Sequence, residues 1–149
     1  MESKELKRLP VGIQTFEKLI EQNCLYVDKT AFIPKMTALS NYIFLSRPRR
    51  FGKSLLVSTL QSYFEGRKEL FKGLYIDSVE KEWKEYPVLH FSMASSKHME
   101  KEQLVNYLLF ILDENERRFG LSSEYPDPNV RLYNLITRVY QKTGKKVVV

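Results

Sequence analysis

Residues 41–64 read NYIFLSRPRRFGKSLLVSTLQSYF, and the change of pattern inside this stretch decides the fold prediction. The first six residues are almost purely apolar, which is typical of a β-strand buried on both faces. From Ser54 onward the apolar residues have helical spacing, and Gly66 supplies a stop signal. One helical face carries Leu56, Leu60, Tyr63 and Phe64. The basic segment SRPRRFGKS therefore joins a predicted buried strand to a predicted helix.

A loop between a strand and a helix can bind phosphate, because its backbone N–H groups converge and the helix N-terminus carries partial positive charge. In the Walker A pattern G-x-x-x-x-G-K-[ST], the lysine contacts the β- and γ-phosphates and the hydroxyl binds Mg²⁺. Here Gly52 would allow close backbone approach, Lys53 would be the phosphate-contacting catalytic residue, and Ser54 would bind magnesium through the nucleotide. The other predicted nucleotide-contacting residues are Arg49, Arg50, Phe51 and Leu55.

The loop departs from the Walker A pattern at its first position, where Arg47 replaces glycine and Pro48 biases it toward an extended backbone. The motif alone leaves three interpretations open. The loop is a nucleotide-binding loop, a solvated basic turn, or a nucleic-acid-binding loop in which Phe51 stacks on a base. The strand–GKS–helix context favours the first interpretation.

Five stretches of the chain, in this order, resemble the AAA-ATPase-like family of bacterial P-loop ATP-binding proteins: LPVGIQTFEKLI, LYVDKTAFI, FLSRPRRFGKSLLVSTLQSYFEG, LFKGLYI and YPVLHFSMA. In that family Arg-Pro-Arg-Arg-Phe before Gly-Lys-Ser is the normal form of the loop. The resemblance therefore implies ATP and Mg²⁺ as cofactors. It also implies a later domain that often resembles PD-(D/E)XK nucleases, through which nucleic acid could be a partner.

The predicted fold class is α/β, a partial P-loop NTPase three-layer sandwich with a parallel sheet, truncated after the third core strand. EYPVLHFSMA is the second strand candidate and the terminal KKVVV the third. The resemblance implies that the acidic magnesium- and water-handling motif follows that strand, beyond Val149. We therefore expect a truncated chain that hydrolyses ATP little or not at all. Residues 1–40 would form a lead-in segment and 41–149 the start of the nucleotide-binding core.

Three further helices are predicted from apolar spacing and terminal signals. They cover residues 15–22, residues 97–120, and the stretch DPNVRLYNLITRVYQKTG with Asn129 as the cap and Gly144 as the stop. A fourth, through Phe32, Met36 and Leu39, has Thr30 as its expected cap.

The run YLLFILDE at 107–114 imitates an acidic ATPase motif, because it ends in Asp113 and Glu114. As a strand it would make the chain nearly complete. No Gly or Pro interrupts residues 99–119, however, and Asp113 precedes Arg117 by four residues, as on a solvated helix face. A helix is therefore predicted.

Two smaller motifs have competing interpretations. In VDKT, either Asp28 or Lys29 lies near the nucleotide, or Asp28 or Thr30 caps a helix. His90 lies in a buried-strand pattern, which favours a hydrogen-bonded core histidine over a metal ligand.

The chain has 149 residues and a net charge of +6, and its only dense basic group free of acids is at 47–53. That charge suits an anionic ligand, nucleic acid or mere solubility. With one cysteine, no signal-like leader and no apolar run of about 18 residues, we expect a cytoplasmic protein with no membrane partner. A sheet lacking strands would leave open edges, so we also expect self-association.

Overall fold

A computed structural model describes residues 6–94 and 99–149, and helices make up 49% of it. The elements are α1 (Phe16–Glu21), α2 (Phe32–Leu39), α3 (Lys53–Phe64), a 3₁₀-helix (Lys68–Phe71), α4 (Tyr75–Val79), α5 (Lys101–Arg118) and α6 (Pro128–Thr143). The chain divides into two compact units between Glu85 and Tyr86. The predicted division into residues 1–40 and 41–149 stays a prediction.

The first unit is built around a small aromatic core in which α1 packs against α3. The rings of Phe16 and Phe71 are 4.8 Å apart, and both side chains are fully buried. The amide of Phe16 donates to the Ser58 hydroxyl at 2.9 Å, so a side chain of α3 caps α1. The helix predicted at 15–22 is confirmed, and its N-cap residue is Thr15.

The VDKT motif caps α4. An Asp28 carboxylate oxygen accepts the Tyr75 N–H at 2.7 Å, and the Thr30 hydroxyl accepts the Ile76 N–H at 3.1 Å. The capping interpretation is therefore confirmed, but for a different helix than expected, because α2 has Ala31 as its N-cap residue. Burial would raise the pKa of the Asp28 carboxyl, but hydrogen bonds from Tyr75 and Thr30 outweigh burial and hold that pKa below its usual value.

The second unit is centred on α5 and α6, which pack against each other. Its core is a cluster of four buried apolar residues, Leu89, Leu112, Leu135 and Val139. The helix prediction for YLLFILDE is confirmed, because α5 runs without a break through residues 107–114. Of the predicted helix at 97–120, Lys97 and His98 lie outside the described residues. The predicted cap at Asn129 is wrong, since the Asp127 side chain caps α6 and Gly144 follows its end.

The predicted P-loop sandwich with a parallel sheet is wrong for the described residues, which form no β-strand. The first strand candidate, residues 41–46, is exposed except for half-buried Leu45, with Tyr42 at 91% and Phe44 at 93% of full exposure. A strand buried on both faces needs neighbouring strands and covering layers, and this apolar run lacks them.

The second strand candidate bonds mainly to helix side chains. Val88 makes one isolated parallel bridge with Val148, through two backbone hydrogen bonds of 2.8 and 2.9 Å. Two residues after Val88, the side-chain amide of Asn115 accepts a hydrogen bond from the His90 N–H and donates one to the His90 carbonyl, each at 3.2 Å. A side chain of α5 thus occupies the positions at which a neighbouring strand would bond.

The His90 side chain is exposed, so the predicted core histidine was wrong. Asn115 forms hydrogen bonds with the backbone of His90 and not with its imidazole. No helix among the described residues is both long and apolar enough to cross a membrane.

Candidate functional site

The loop at 47–52 leads directly into α3, and its side chains face solvent. Every residue from Arg47 to Ser54 is exposed, including Phe51 at 63% of full exposure. Leu55, one residue further, is half-buried and packs against the core of the first unit. The predicted site residues are thus brought together at one exposed corner of this unit, anchored by the body of α3.

Lys53 turns back over the loop. Its ammonium donates a hydrogen bond to the backbone carbonyl of Arg47, six residues earlier. The Arg47 guanidinium in turn donates to the backbone carbonyl of Phe51 at 3.4 Å. Arg47 therefore contacts both the lysine and the far side of the loop, although it stands where the Walker A pattern has its first glycine. Sequence reasoning assigned Arg47 no contact, and the motif contains no signal for one.

The loop backbone takes the left-handed conformation twice, at Arg50 (φ +64°) and at Gly52 (φ +75°). For Arg50 this conformation costs roughly 1 kcal/mol, whereas glycine adopts it freely. Left-handed residues in a turn curl the chain so that successive N–H groups point into a shared concavity, which is the geometry of an anion-binding nest.

The N-terminus of α3 has no side-chain cap. The N-cap residue is Gly52, which has no side chain, and the first turn contains no acidic residue. The first hydrogen bond of the helix runs from the Leu56 N–H to the Gly52 carbonyl at 2.9 Å. The preceding amides, those of Lys53, Ser54 and Leu55, have no partner within the helix, because the first turn of any α-helix lacks acceptors for them. These donors and the positive end of the helix dipole are available to an anion.

The charge of this corner is uniformly positive. Arg47, Arg49, Arg50 and Lys53 lie within seven residues. None of the ion pairs found among residues 6–94 and 99–149 involves them. An incoming anion therefore has no bound carboxylate to displace, only the Arg47 carbonyl at the lysine.

Asp113 and Glu114 lie on α5 in the second unit. The Asp113 carboxylate pairs with Arg117 and lies 3.3 Å from the Arg131 guanidinium. Arg131 also makes a two-pronged pair with buried Glu116, at 2.9 and 2.6 Å. That pairing raises the pKa of the arginine, since the hydrogen bonds to Glu116 stabilise its charged form. Asp113 thus takes part in an ion-pair network between two helices. Of this network, the sequence spacing predicted only the pair with Arg117.

Comparison with known proteins identifies a family. The family model described as "Predicted AAA-ATPase", of the AAA-ATPase-like group, matches residues 10–149. An Azotobacter chroococcum protein, named only as an uncharacterized protein in the vnfD 5′ region, is 36% identical over 144 residues. That match covers 96% of this chain but 28% of the relative, so the chain spans less than a third of the relative's length. No solved structure matches significantly.

Proposed function

This chain belongs to the predicted AAA-ATPase family, and on that premise we propose that it binds ATP with Mg²⁺ at the loop of residues 47–54. One observation carries the proposal. The Lys53 ammonium lies over a loop that ends at a helix start with no side-chain cap. A lysine beside unsatisfied backbone amides is the donor set that binds the β- and γ-phosphates of a nucleotide.

Phosphate binding would be an exchange of partners at Lys53. Its ammonium bonds to the neutral Arg47 carbonyl. A phosphate oxygen carries negative charge and forms a stronger, charge-assisted bond, so it would replace that carbonyl. The amides of Ser54 and Leu55 would donate to the same phosphate, and Arg49 and Arg50 would add positive charge around it.

The magnesium assignment rests on the Ser54 hydroxyl. It is exposed in the first turn of α3, next to Lys53. Mg²⁺ prefers oxygen ligands and is usually held by one or two protein groups together with substrate phosphates. The residues present fit a metal that arrives with the nucleotide, and the ion would neutralise phosphate charge.

We propose that this chain hydrolyses ATP slowly at most. Hydrolysis needs a group that orients the attacking water. The acidic pair that the sequence offers, Asp113 and Glu114, lies within α5, where Asp113 is engaged by Arg117 and Arg131. ATPase activity of longer relatives, and any nuclease-like domain with nucleic acid as its substrate, are likewise proposals.

The test is equilibrium binding of a fluorescent ATP analogue, with and without Mg²⁺. We expect saturable, Mg²⁺-enhanced binding that weakens about 10- to 100-fold in Lys53→Ala, the loss of one hydrogen bond to a charged group. Lys72→Ala is the matched control, since Lys72 is an exposed lysine of the same unit that belongs neither to the loop nor to α3. Circular dichroism establishes that each variant is folded.

Two outcomes would contradict the proposal. One is the absence of binding by a folded chain at millimolar nucleotide. The other is equal loss in Lys53→Ala and Lys72→Ala, which would indicate a nonspecific charge effect.

A second candidate function is nucleic-acid or partner-protein binding by the same loop, and the exposure of Phe51 beside Arg49 and Arg50 favours it. An exposed ring among arginines can stack on a base while the cations contact phosphates. Binding of this kind weakens steeply with salt, increases with strand length and is lost in Phe51→Ala. Nucleotide binding in the loop would instead depend on Mg²⁺ and on Lys53.

A further inference from the structure

The whole net charge of the chain lies in one stretch. Residues 29–64 contain six basic residues and no aspartate or glutamate, whereas basic and acidic residues are equal in number over the rest of the chain. The six are exposed, and they are Lys29, Lys35, Arg47, Arg49, Arg50 and Lys53. A local excess of positive charge of this kind is typical of a surface that binds a polyanion.

The same stretch exposes two aromatic rings directly before its densest group of cations. Tyr42 is 91% exposed and Phe44 is 93% exposed, whereas Ile43 between them is 50% exposed and Leu45 is half-buried. The alternating exposure indicates an extended segment with both rings on its solvent-facing side. Adjacent exposed apolar residues form a patch, and such patches mark contact surfaces.

The charge and the rings together favour one kind of partner. A second copy of the chain would bring like charges together. Single-stranded nucleic acid has the two features that this surface complements, a negatively charged backbone and planar bases whose faces are free to stack. In a duplex those faces are covered by neighbouring bases, so Tyr42 and Phe44 would have nothing to stack on.

We propose that residues 42–50 bind single-stranded nucleic acid. The rings of Tyr42 and Phe44 stack on bases, and the three arginines of this segment contact backbone phosphates. The inference develops the second candidate function, because it extends the surface to the segment before the loop and limits the partner to single strands. It does not depend on the proposed ATP site, since it uses neither Lys53 nor the open amides of α3.

The first test is fluorescence anisotropy with a labelled oligothymidine of about 16 nucleotides, the upper site size of one single-strand-binding fold. Tyr42→Ala and Phe44→Ala should each weaken binding about 5- to 100-fold, which is the stacking contribution of one base. Phe44→Trp keeps a stacking face and should bind at least as tightly as wild type. Annealing the strand to its complement should weaken binding to wild type and remove the effect of both alanine variants.

The matched control is Tyr133→Ala, since Tyr133 is a 76% exposed aromatic residue on α6 in the second unit. It should bind the strand like wild type. Circular dichroism establishes that each variant is folded.

The second test separates the strand from the nucleotide. Tyr42→Ala and Phe44→Ala should leave the affinity for the ATP analogue unchanged. The logarithm of the association constant for the strand should fall with the logarithm of salt concentration with a slope of about −2 or steeper, because each neutralised phosphate contributes about 0.7. Arg49→Met should reduce that slope by about 0.7.

Four results would overturn the proposal. One is the absence of strand binding by the folded chain at low salt. Another is unchanged strand affinity in Tyr42→Ala and Phe44→Ala, which would leave charge alone as the cause of binding. An equal loss in Tyr133→Ala would place the contact elsewhere, and a matching loss of ATP-analogue affinity in the two segment variants would make the segment part of the nucleotide site.

Discussion

The first turns of α6 and α3 begin in opposite ways. At α6 the Asp127 carboxylate accepts hydrogen bonds from the backbone N–H groups of Asn129 and Val130, at 2.8 and 3.2 Å. Pro128 occupies the first helical position, where a backbone N–H would have no partner within the helix. At α3 the cap is Gly52, and no side chain accepts from the first turn. One helix satisfies its own donors, and the other leaves them open beside four cationic side chains.

This difference is expected if the α6 start is purely structural and the α3 start binds an anion, as proposed. An unsatisfied first turn costs stability, since a capping side chain is worth about 1 kcal/mol. The α3 start forgoes that stabilisation, and its backbone includes Arg50 in the left-handed region as well. Where a sequence omits its cap and adds cations, an anion is the expected partner.

The largest expected effect is on the free energy of unfolding and concerns the ion pair that joins α6 to α5. Arg131, in the first turn of α6, pairs with buried Glu116 of α5. Arg131→Met leaves that carboxylate buried without its partner and should lower the free energy of unfolding by about 3–5 kcal/mol. Urea denaturation followed by fluorescence measures it.

The control for Arg131→Met removes both charges. Arg131→Met with Glu116→Leu should recover most of the lost stability, because no charge remains buried alone. If the double variant were as unstable as the single one, lost packing rather than an unpaired charge would be the cause. Neither variant should change nucleotide affinity, since α6 takes no part in the proposed phosphate site.

The next effect tests the open start of α3. Gly52→Asp places a carboxylate where phosphate is proposed to bind and should weaken ATP-analogue binding by about 10- to 100-fold. Gly52→Asn is the matched control, because asparagine has the same shape, no charge and a tolerance for positive φ. Equal affinities of the two variants would mean that backbone strain, not charge, controls binding.

A smaller effect is expected at the capped start. Asp127→Ala should cost about 1 kcal/mol of unfolding free energy and leave nucleotide affinity unchanged. Thermal unfolding and the binding assay check the two halves of this prediction. Weaker nucleotide binding in Asp127→Ala would contradict the separation between structural and binding helix starts.

The smallest effect concerns α4, which is capped from a distance by Asp28. Because its folded pKa lies below the unfolded value of about 3.9, this carboxylate contributes stability above that value, and the contribution disappears as the pH falls through the folded pKa. We expect the stability difference between wild type and Asp28→Asn to shrink below about pH 4. Urea midpoints measured between pH 3 and 7 report it, and a difference that grows on acidification would contradict the prediction.

Local signals in the sequence predicted five of the six α-helices of the described residues, all but α4. The apolar spacing of Leu132, Leu135 and Val139 located α6, and all three side chains belong to the core of the second unit. The location of Gly52, Lys53 and Ser54 at a helix start also followed from the motif, because spacing of this kind is a property of neighbouring residues. Their binding of a nucleotide stays a prediction.

Features that depend on distant residues could not be predicted in the same way. Whether NYIFLS is buried depends on what lies beside it, and an apolar run contains no information about its neighbours. The two-sided bonding of His90 by Asn115 required α5 to pack at that point. Likewise, nothing in VDKT identified the backbone N–H of Tyr75 as the donor to the Asp28 carboxylate.

The cap of α4 has a consequence for the order in which the chain folds. Five residues are too few for a stable isolated helix, and the donors at the start of α4 bond to side chains up to 47 positions earlier. This helix therefore forms only after a long loop has closed, which is a slow step with a large entropic cost. The α5–α6 hairpin closes a short loop and should form sooner, so we expect the part of the chain that carries the basic loop of residues 47–54 to fold last.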